Sequence, residues 1–315
     1  MANQSAAATV WNCPNYVGEL FLIGANQTPF LNMVGGLQGV RAKSARSFKF
    51  PLAQPWALES ASQPDITETE SLTAPTPTTY VRTQDDNTVQ IYQEQVSVSY
   101  AKQSVIGEIS GLSIQGNQPV TNERDFQISA NLRQISLDAD YTFLNGAYQA
   151  ASNAGVEAKT RGIITAATTN TIAASAAQLT KALIDELLRT MAGNGSQFVD
   201  CIVFCNAYQK QKLTNIYGYA PESRNVGGLN IKQIETDFAM LGIVYAPNVP
   251  AATLLIADLS VCFPVFLPVP EKGVLFYEEL SRTGASEKGQ IYGQVGLDYG
   301  PEEYHGTITG LATSA

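Results

Sequence analysis

Apolar and polar residues alternate from Phe48 through Phe50 to Leu52, again from Val89 to Ile91, and from Val96 through Val98 to Tyr100. That spacing predicts two strand stems. The return stem changes phase after Ile91, so a β-bulge is expected near Gln93 to Gln95. Between the stems, residues 59–86 are read as Thr, Pro, Ser and acid, with almost no apolar positions. A structureless loop of that length is unusual inside a compact domain. The pattern predicts one long hairpin projecting from the body, and its natural partner is another protein molecule.

Upstream, Thr28-Pro29-Phe30-Leu31-Asn32-Met33-Val34-Gly35-Gly36 reads as one or two helical turns, with Thr28 as N-cap, Pro29 at the first position and glycines as the stop. It is too short to bury its own apolar side chains and is expected to strap onto the body or a neighbour. The longest helical period runs over about 122–151. Ile128, Leu132, Ile135, Ala139 and Phe143 lie on one face, Phe126, Ala130, Leu137, Tyr141 and Leu144 on the next. At 1.5 Å per residue this is a rod of nearly ~40 Å, a spine for other elements. A capping-box pattern from Ser175 to Gln178 opens an amphipathic helix ending at Gly193. Strands are predicted over 198–204, 230–234, 243–245, 254–256, 274–277, 291–299 and 304–311, and a helix over 207–217. Gly293 is a weak point or a close approach. The mixture is an α+β fold.

Composition narrows the function classes. The chain has 315 residues, ordinary apolar content and a net charge of −9. That disfavours simple sequestration of nucleic acid, which needs clustered Lys and Arg, but suits a wall to which DNA does not adhere. The N-terminal ten residues lack signal-peptide regions, and no apolar run is long enough to cross a membrane. Cys13, Cys201, Cys205 and Cys262 are too scattered for a disulfide framework. Cys201 and Cys205 fall on one strand face and read as buried free thiols, and synthesis in the reducing cytosol follows.

Charge is sorted along the arm. Glu59, Asp65, Glu68, Glu70, Asp85 and Asp86 face only Arg82, whereas Arg41, Lys43, Arg46 and Lys49 cluster just upstream. Either both stretches are solvated, or one subunit's acidic loop docks on another's basic segment, with Trp56 among the inter-subunit contacts. Docking of that kind would weaken in high salt.

Candidate chemistry is sparse. His305 is the single histidine and is read as structural or at an interface; no nucleophile elbow, phosphate loop or dinucleotide fingerprint occurs. Asp138 and Asp140 lie on different helix faces, a poor geometry for a shared metal. No catalytic, cofactor or metal residue is expected, and the chain is not expected to be an enzyme.

In their order and spacing, several stretches resemble the major capsid proteins of tailed double-stranded DNA phages, of the Hong Kong ninety-seven type. They are Thr28-Pro29-Phe30-Leu31, Gln90-Ile91-Tyr92-Gln93, Leu144-Asn145-Gly146, Arg161-Gly162-Ile163, Thr236-Asp237-Phe238, Leu267-Pro268-Val269-Pro270-Glu271-Lys272-Gly273, and Tyr292-Gly293 through His305-Gly306. The resemblance implies an N-arm over 1–47 and an E-loop over 48–104. It implies a P-domain over 105–165 that holds the spine, an A-domain over 166–263, and P-domain return strands over 264–315. It implies hexamers and pentamers forming an icosahedral virion shell around double-stranded DNA, with scaffold, portal and possible decoration proteins. A separate scaffold is expected because the chain starts at the strap. No Lys lies between Phe50 and Gln90, so a cross-link from the loop is not expected. The alternatives are a phage tail or adhesin component, an encapsulin-like compartment, and an enzyme built around His305.

Overall fold

Strand Cys201–Cys205 (CIVFC), buried along its whole length, organises the molecule. Its side chains alternate between two cores. Ile202 and Phe204 enter one cluster, while Cys201, Val203 and Cys205 enter the other. Strand Leu254–Asp258 divides in the same way, Leu255 and Ala257 against Leu254 and Ile256. A sheet covered on both faces carries continuous apolar strands rather than alternating ones. The computed structural model describes residues 27–37, 41–101, 103, 123–217, 223–226 and 229–314. The apolar patch 20–23 and Cys13 lie outside the described residues.

In chain order the elements are α1 (Pro29–Val34), β1 (Lys43–Ser44), β2 (Lys49–Pro51), α2 (Glu68–Ser71), β3 (Asp86–Thr88), β4 (Gln90–Ser99) and α3 (Glu123–Asn145). Next come α4 (Ile163–Ala166), β5 (Thr171–Ala173), α5 (Lys181–Gly193), β6 (Cys201–Cys205), α6 (Ala207–Tyr217), β7 (Ser223–Val226) and β8 (Leu229–Glu235). The last are β9 (Met240–Tyr245), β10 (Leu254–Asp258), β11 (Phe263–Phe266), β12 (Leu275–Glu279), β13 (Ser286–Asp298) and β14 (Gly306–Thr309).

Two larger sheets result. One has the order β5-β14-β10-β6-β9-β8-β7; α5 lays Ile184, Leu187, Leu188 and Met191 into the core on one of its faces. The other joins β1, β11, β13 and β12, with β4 along the free side of β13. Its core is shared with α1 and α3. The last strand, β14, returns to the seven-stranded sheet, and Tyr304, expected to open it, instead closes a 3₁₀ turn over Glu302–Tyr304.

The spine α3 ends at Asn145, earlier than expected, because Gly146 meets the chain coming back. Gly162 N–H donates to Gly146 O at 2.8 Å. A Cβ on Gly162 would stand 2.5 Å from Gly146 N and 2.7 Å from Leu144 O. These two glycines let the backbones touch. The buried face of α3 carries Ile135, Ala139 and Phe143 with Asp140 and Leu144, and Glu123 is buried at its start; Leu132 and Tyr141 are exposed.

The capping box at Ser175 does not form. Ser175 and Ala176 take positive φ, Ala176 N–H donates to Gly310 O, and α5 starts later with Thr180 as its cap. The bulge is also absent. β4 pairs with β13 one-to-one from Gln90↔Val295 to Ser99↔Ser286. Tyr92, Val96 and Val98 share the inward phase and Ile91 points out. Gly293 is a close approach, since its Cβ would meet Leu275 Cδ1 at 2.6 Å.

Candidate functional site

The arm is a hairpin only at its root. β2 and β3 pair over three residues, Lys49↔Thr88, Phe50↔Asn87 and Pro51↔Asp86. Leu52 N–H then donates to Asp85 O at 2.8 Å, Gln54 meets Gln84 at 3.0 Å, and the Trp56 and Tyr80 rings meet edge-on at 6.4 Å. The long paired stem expected from Val89 to Tyr100 is corrected: β4 belongs to the β13 sheet, so only the root is paired with the outgoing strand.

Every residue from 56 to 85 is exposed. The one regular element there is α2, held by its own capping box, in which Thr67 Oγ1 accepts from Glu70 N–H and Thr67 N–H donates to the Glu70 carboxylate. Nor is the stretch as polar as it reads. Of the fifteen large hydrophobic residues exposed among the described ones, seven lie between Phe48 and Val81: Phe48, Trp56, Leu58, Ile66, Leu72, Tyr80 and Val81. Single exposed apolar residues are ordinary; this many on one unbacked loop mark an interaction surface. Phe48 belongs to the strand stem; the spacing of the other six matches neither a helix nor a strand, so pattern reading passed over all of these but Trp56.

The root is anchored by a polar clamp that sequence reasoning also missed. Asn87 is buried and all its hydrogen-bonding capacity is used. Its Oδ1 accepts from Arg161 N–H at 2.8 Å and Thr88 N–H at 2.9 Å, and its Nδ2 donates to Leu297 O at 2.7 Å and Arg161 O at 3.2 Å. Thr88 Oγ1 donates to Lys159 O at 2.7 Å, and Thr160 Oγ1 donates to Thr88 O. The Arg161 guanidinium reaches Asp85 at 2.8 Å and the Tyr299 hydroxyl at 3.2 Å, and lies over the Tyr148 ring. Burial pushes the Tyr299 phenol up to about 12, so it stays neutral.

Of the twelve residues expected at subunit contacts, five are engaged inside the chain. Lys43 pairs with Asp298 at 2.6 Å, Lys49 with Asp86 at 2.7 Å, and Asp85 with Arg161. Arg41 donates to Leu259 O at 3.1 Å and lies, with Lys43, over the Phe263 ring. Arg41, Lys43 and Lys49 therefore help fasten β1 and β2 to the body, while the Lys43 and Lys49 side chains keep about half of their surface exposed. Arg46, Trp56, Glu59, Asp65, Glu68, Glu70 and Arg82 remain exposed.

His305 is fully buried. Its Nδ1 accepts from Asp258 N–H at 3.3 Å, so Nε2 carries the proton and donates to Tyr299 O at 2.6 Å. Burial holds its pKa below the usual imidazole value. Both ring nitrogens are committed to backbone between the two sheets, a structural role. Cys201, Cys205 and Cys262 are buried free thiols. Among the described residues no cluster suits a metal ion, and no helix is long and apolar enough to cross a membrane.

Comparison with known proteins bears on this geometry. The sequence pattern of the SU10 major capsid protein family matches residues 2–312. No curated protein matches the chain. Among solved structures, the capsid of Cyanophage A-1(L) aligns with a TM-score of 0.62 at 12% identity, covering 96% of this chain and 99% of that one. The capsid of a native GTA particle aligns at 0.60 and 11% identity, covering 99% and 100%. The SrpI encapsulin of Synechococcus elongatus PCC 7942 aligns at 0.57 and 10% identity, covering 100% and 98%. At such identities the likeness speaks for the fold.

Proposed function

The chain belongs to the SU10 major capsid protein family and is a shell-forming structural protein of tailed phages; from that premise we propose that it closes an icosahedral shell of hexamers and pentamers around double-stranded DNA. The observation that carries the reading is the loop: thirty consecutive exposed residues, studded with apolar side chains and rooted in a buried polar clamp. A loop with no surface of its own chain to cover needs a neighbour's. Residues 1–47 serve as the N-arm, 48–104 as the E-loop, 105–165 and 264–315 as the P-domain and 166–263 as the A-domain. The loop's outer acids and Arg82 settle on an adjacent subunit. A net charge of −9 keeps the packaged duplex from adhering, so it is held by enclosure without sequence-specific contacts. Scaffold and portal proteins direct closure, decoration proteins add to it, and assembly takes place in the host cytoplasm before release of the virion.

An encapsulin-like compartment is the second reading, favoured by full-length alignment with the SrpI encapsulin. Electron microscopy of purified, concentrated protein separates shells from trimeric or fibrous particles. Nuclease-protected DNA in particles recovered from infected cells is expected of a phage shell. Empty or protein-loaded particles there would reverse the choice.

A further inference from the structure

Asp140 stands apart from the loop and from the clamp. It is buried on α3 and joins three separate stretches of chain. Its Oδ1 accepts from Leu31 N–H of α1 at 2.9 Å, and its Oδ2 accepts from Asn248 Nδ2 at 2.8 Å. Asn145, the last residue of α3, donates to Asn248 O at 2.8 Å, so the same loop is gripped twice. Thr28, in the N-cap position of α1, makes no side-chain cap bond. A carboxylate 109 residues away supplies the acceptor instead.

We propose that Asp140 is a proton-operated latch on the strap: with a proton bound it locks α1 against α3, and without one it lets α1 loosen.

The chemistry of the site suits both protonation states. The carboxylate has no cation beside it among the described residues. α1 carries no titratable side chain, and neither does the stretch 246–250. On α3, Arg133 and Asp138 are exposed, and Asp138 is engaged by Gln134. An ionised buried carboxylate without a counter-charge is costly. Asn248 is the right partner for relieving that cost, because a carboxamide donates to a carboxylate and, turned over, accepts from a carboxylic acid. Burial pushes the Asp140 carboxyl up to about 6. Its first-turn contact with α1 makes that burial depend on the strap. Lifting α1 returns the group to water and its proton affinity falls to the ordinary carboxyl range. The sign follows: the closed strap binds the proton more tightly, so closure is favoured at low pH and weakens as pH rises through about 6. His305 titrates with the opposite sign, its burial favouring the neutral ring. Overall melting curves would therefore mix the two.

Hydrogen exchange on the full-length chain, read over residues 29–36 and corrected for intrinsic rates, isolates the strap. From pH 5.0 to 7.5 its protection is expected to fall about tenfold. D140N, which keeps an acceptor for Leu31 N–H and carries no charge, is expected to hold its protection constant across that range. N248L, which removes the donor to the carboxylate, is expected to move the wild-type midpoint to higher pH. Equal wild-type protection at the two pH values overturns the latch. So does a D140N chain that keeps the wild-type response, or an N248L chain with an unmoved midpoint.

Discussion

Excising residues 57–79 and joining Trp56 to Tyr80 through a short Gly-Ser bridge leaves a chain that folds, stays soluble and closes no shells. No residue from 56 to 85 enters either core, so the excision removes no buried apolar area from the isolated chain. The melting temperature is expected to stay within about 2 °C of the parent, a shift of under ~1 kcal/mol for a domain of this size. What disappears is the apolar surface of Leu58, Ile66 and Leu72. Ordering such a loop costs ~1–2 kcal/mol per residue in backbone entropy. Only contacts repeated around a closed symmetric surface offset a cost of that size. Loss of closure is therefore expected to be complete. Normal shells from the excised chain, seen by electron microscopy, would contradict the assigned role of the loop.

The second large effect is at the root. Asn87→Ala strands Arg161 N–H and Leu297 O in a dry environment, where each unpaired group costs ~1–3 kcal/mol. A loss of about 3 kcal/mol is expected in urea unfolding at unchanged m. Arg161→Ala, acting on the half-exposed ion pair to Asp85, is expected to cost less, ~1 kcal/mol. If the two substitutions cost the same, the clamp would not centre on the buried amide.

How far these features were legible in the sequence depends on how local their causes are. The strand of β6 and the helix of α6 were readable, because five consecutive apolar residues and a compact periodic stretch declare themselves within one window. The partner of β4 was not. β13 lies about two hundred residues away, and nothing near the return stem records it. Val89 and Ile91 set an odd-numbered phase in the sequence, whereas Ile91 is exposed and the inward phase within β4 is Tyr92, Val96 and Val98. Ser175 carried a helix-start pattern, but the pairing of Ala176 with Gly310 across the seven-stranded sheet claimed its backbone first. The candidate site divided along similar lines. Charge sorting drew attention to the arm, and Glu59, Asp65, Glu68 and Glu70 do lie on the exposed loop. Lys43, Lys49 and Asp85 found partners within their own chain, a matter of three-dimensional proximity that composition does not encode. Asn87 was silent for the same reason, and Asp140 was weighed only as a poor metal ligand: a buried polar residue is recognisable only by its long-range partners.

Hydrogen exchange over residues 56–85, compared between the unassembled chain and assembled particles, tests most directly whether the loop is completed by a neighbouring subunit. The free chain is expected to exchange at nearly intrinsic rates across that stretch, and the particle to show protection of about a hundredfold or more around Trp56, Leu58 and Leu72. Equal protection in the two states, whether high or low, would mean that the loop gains nothing from its neighbours.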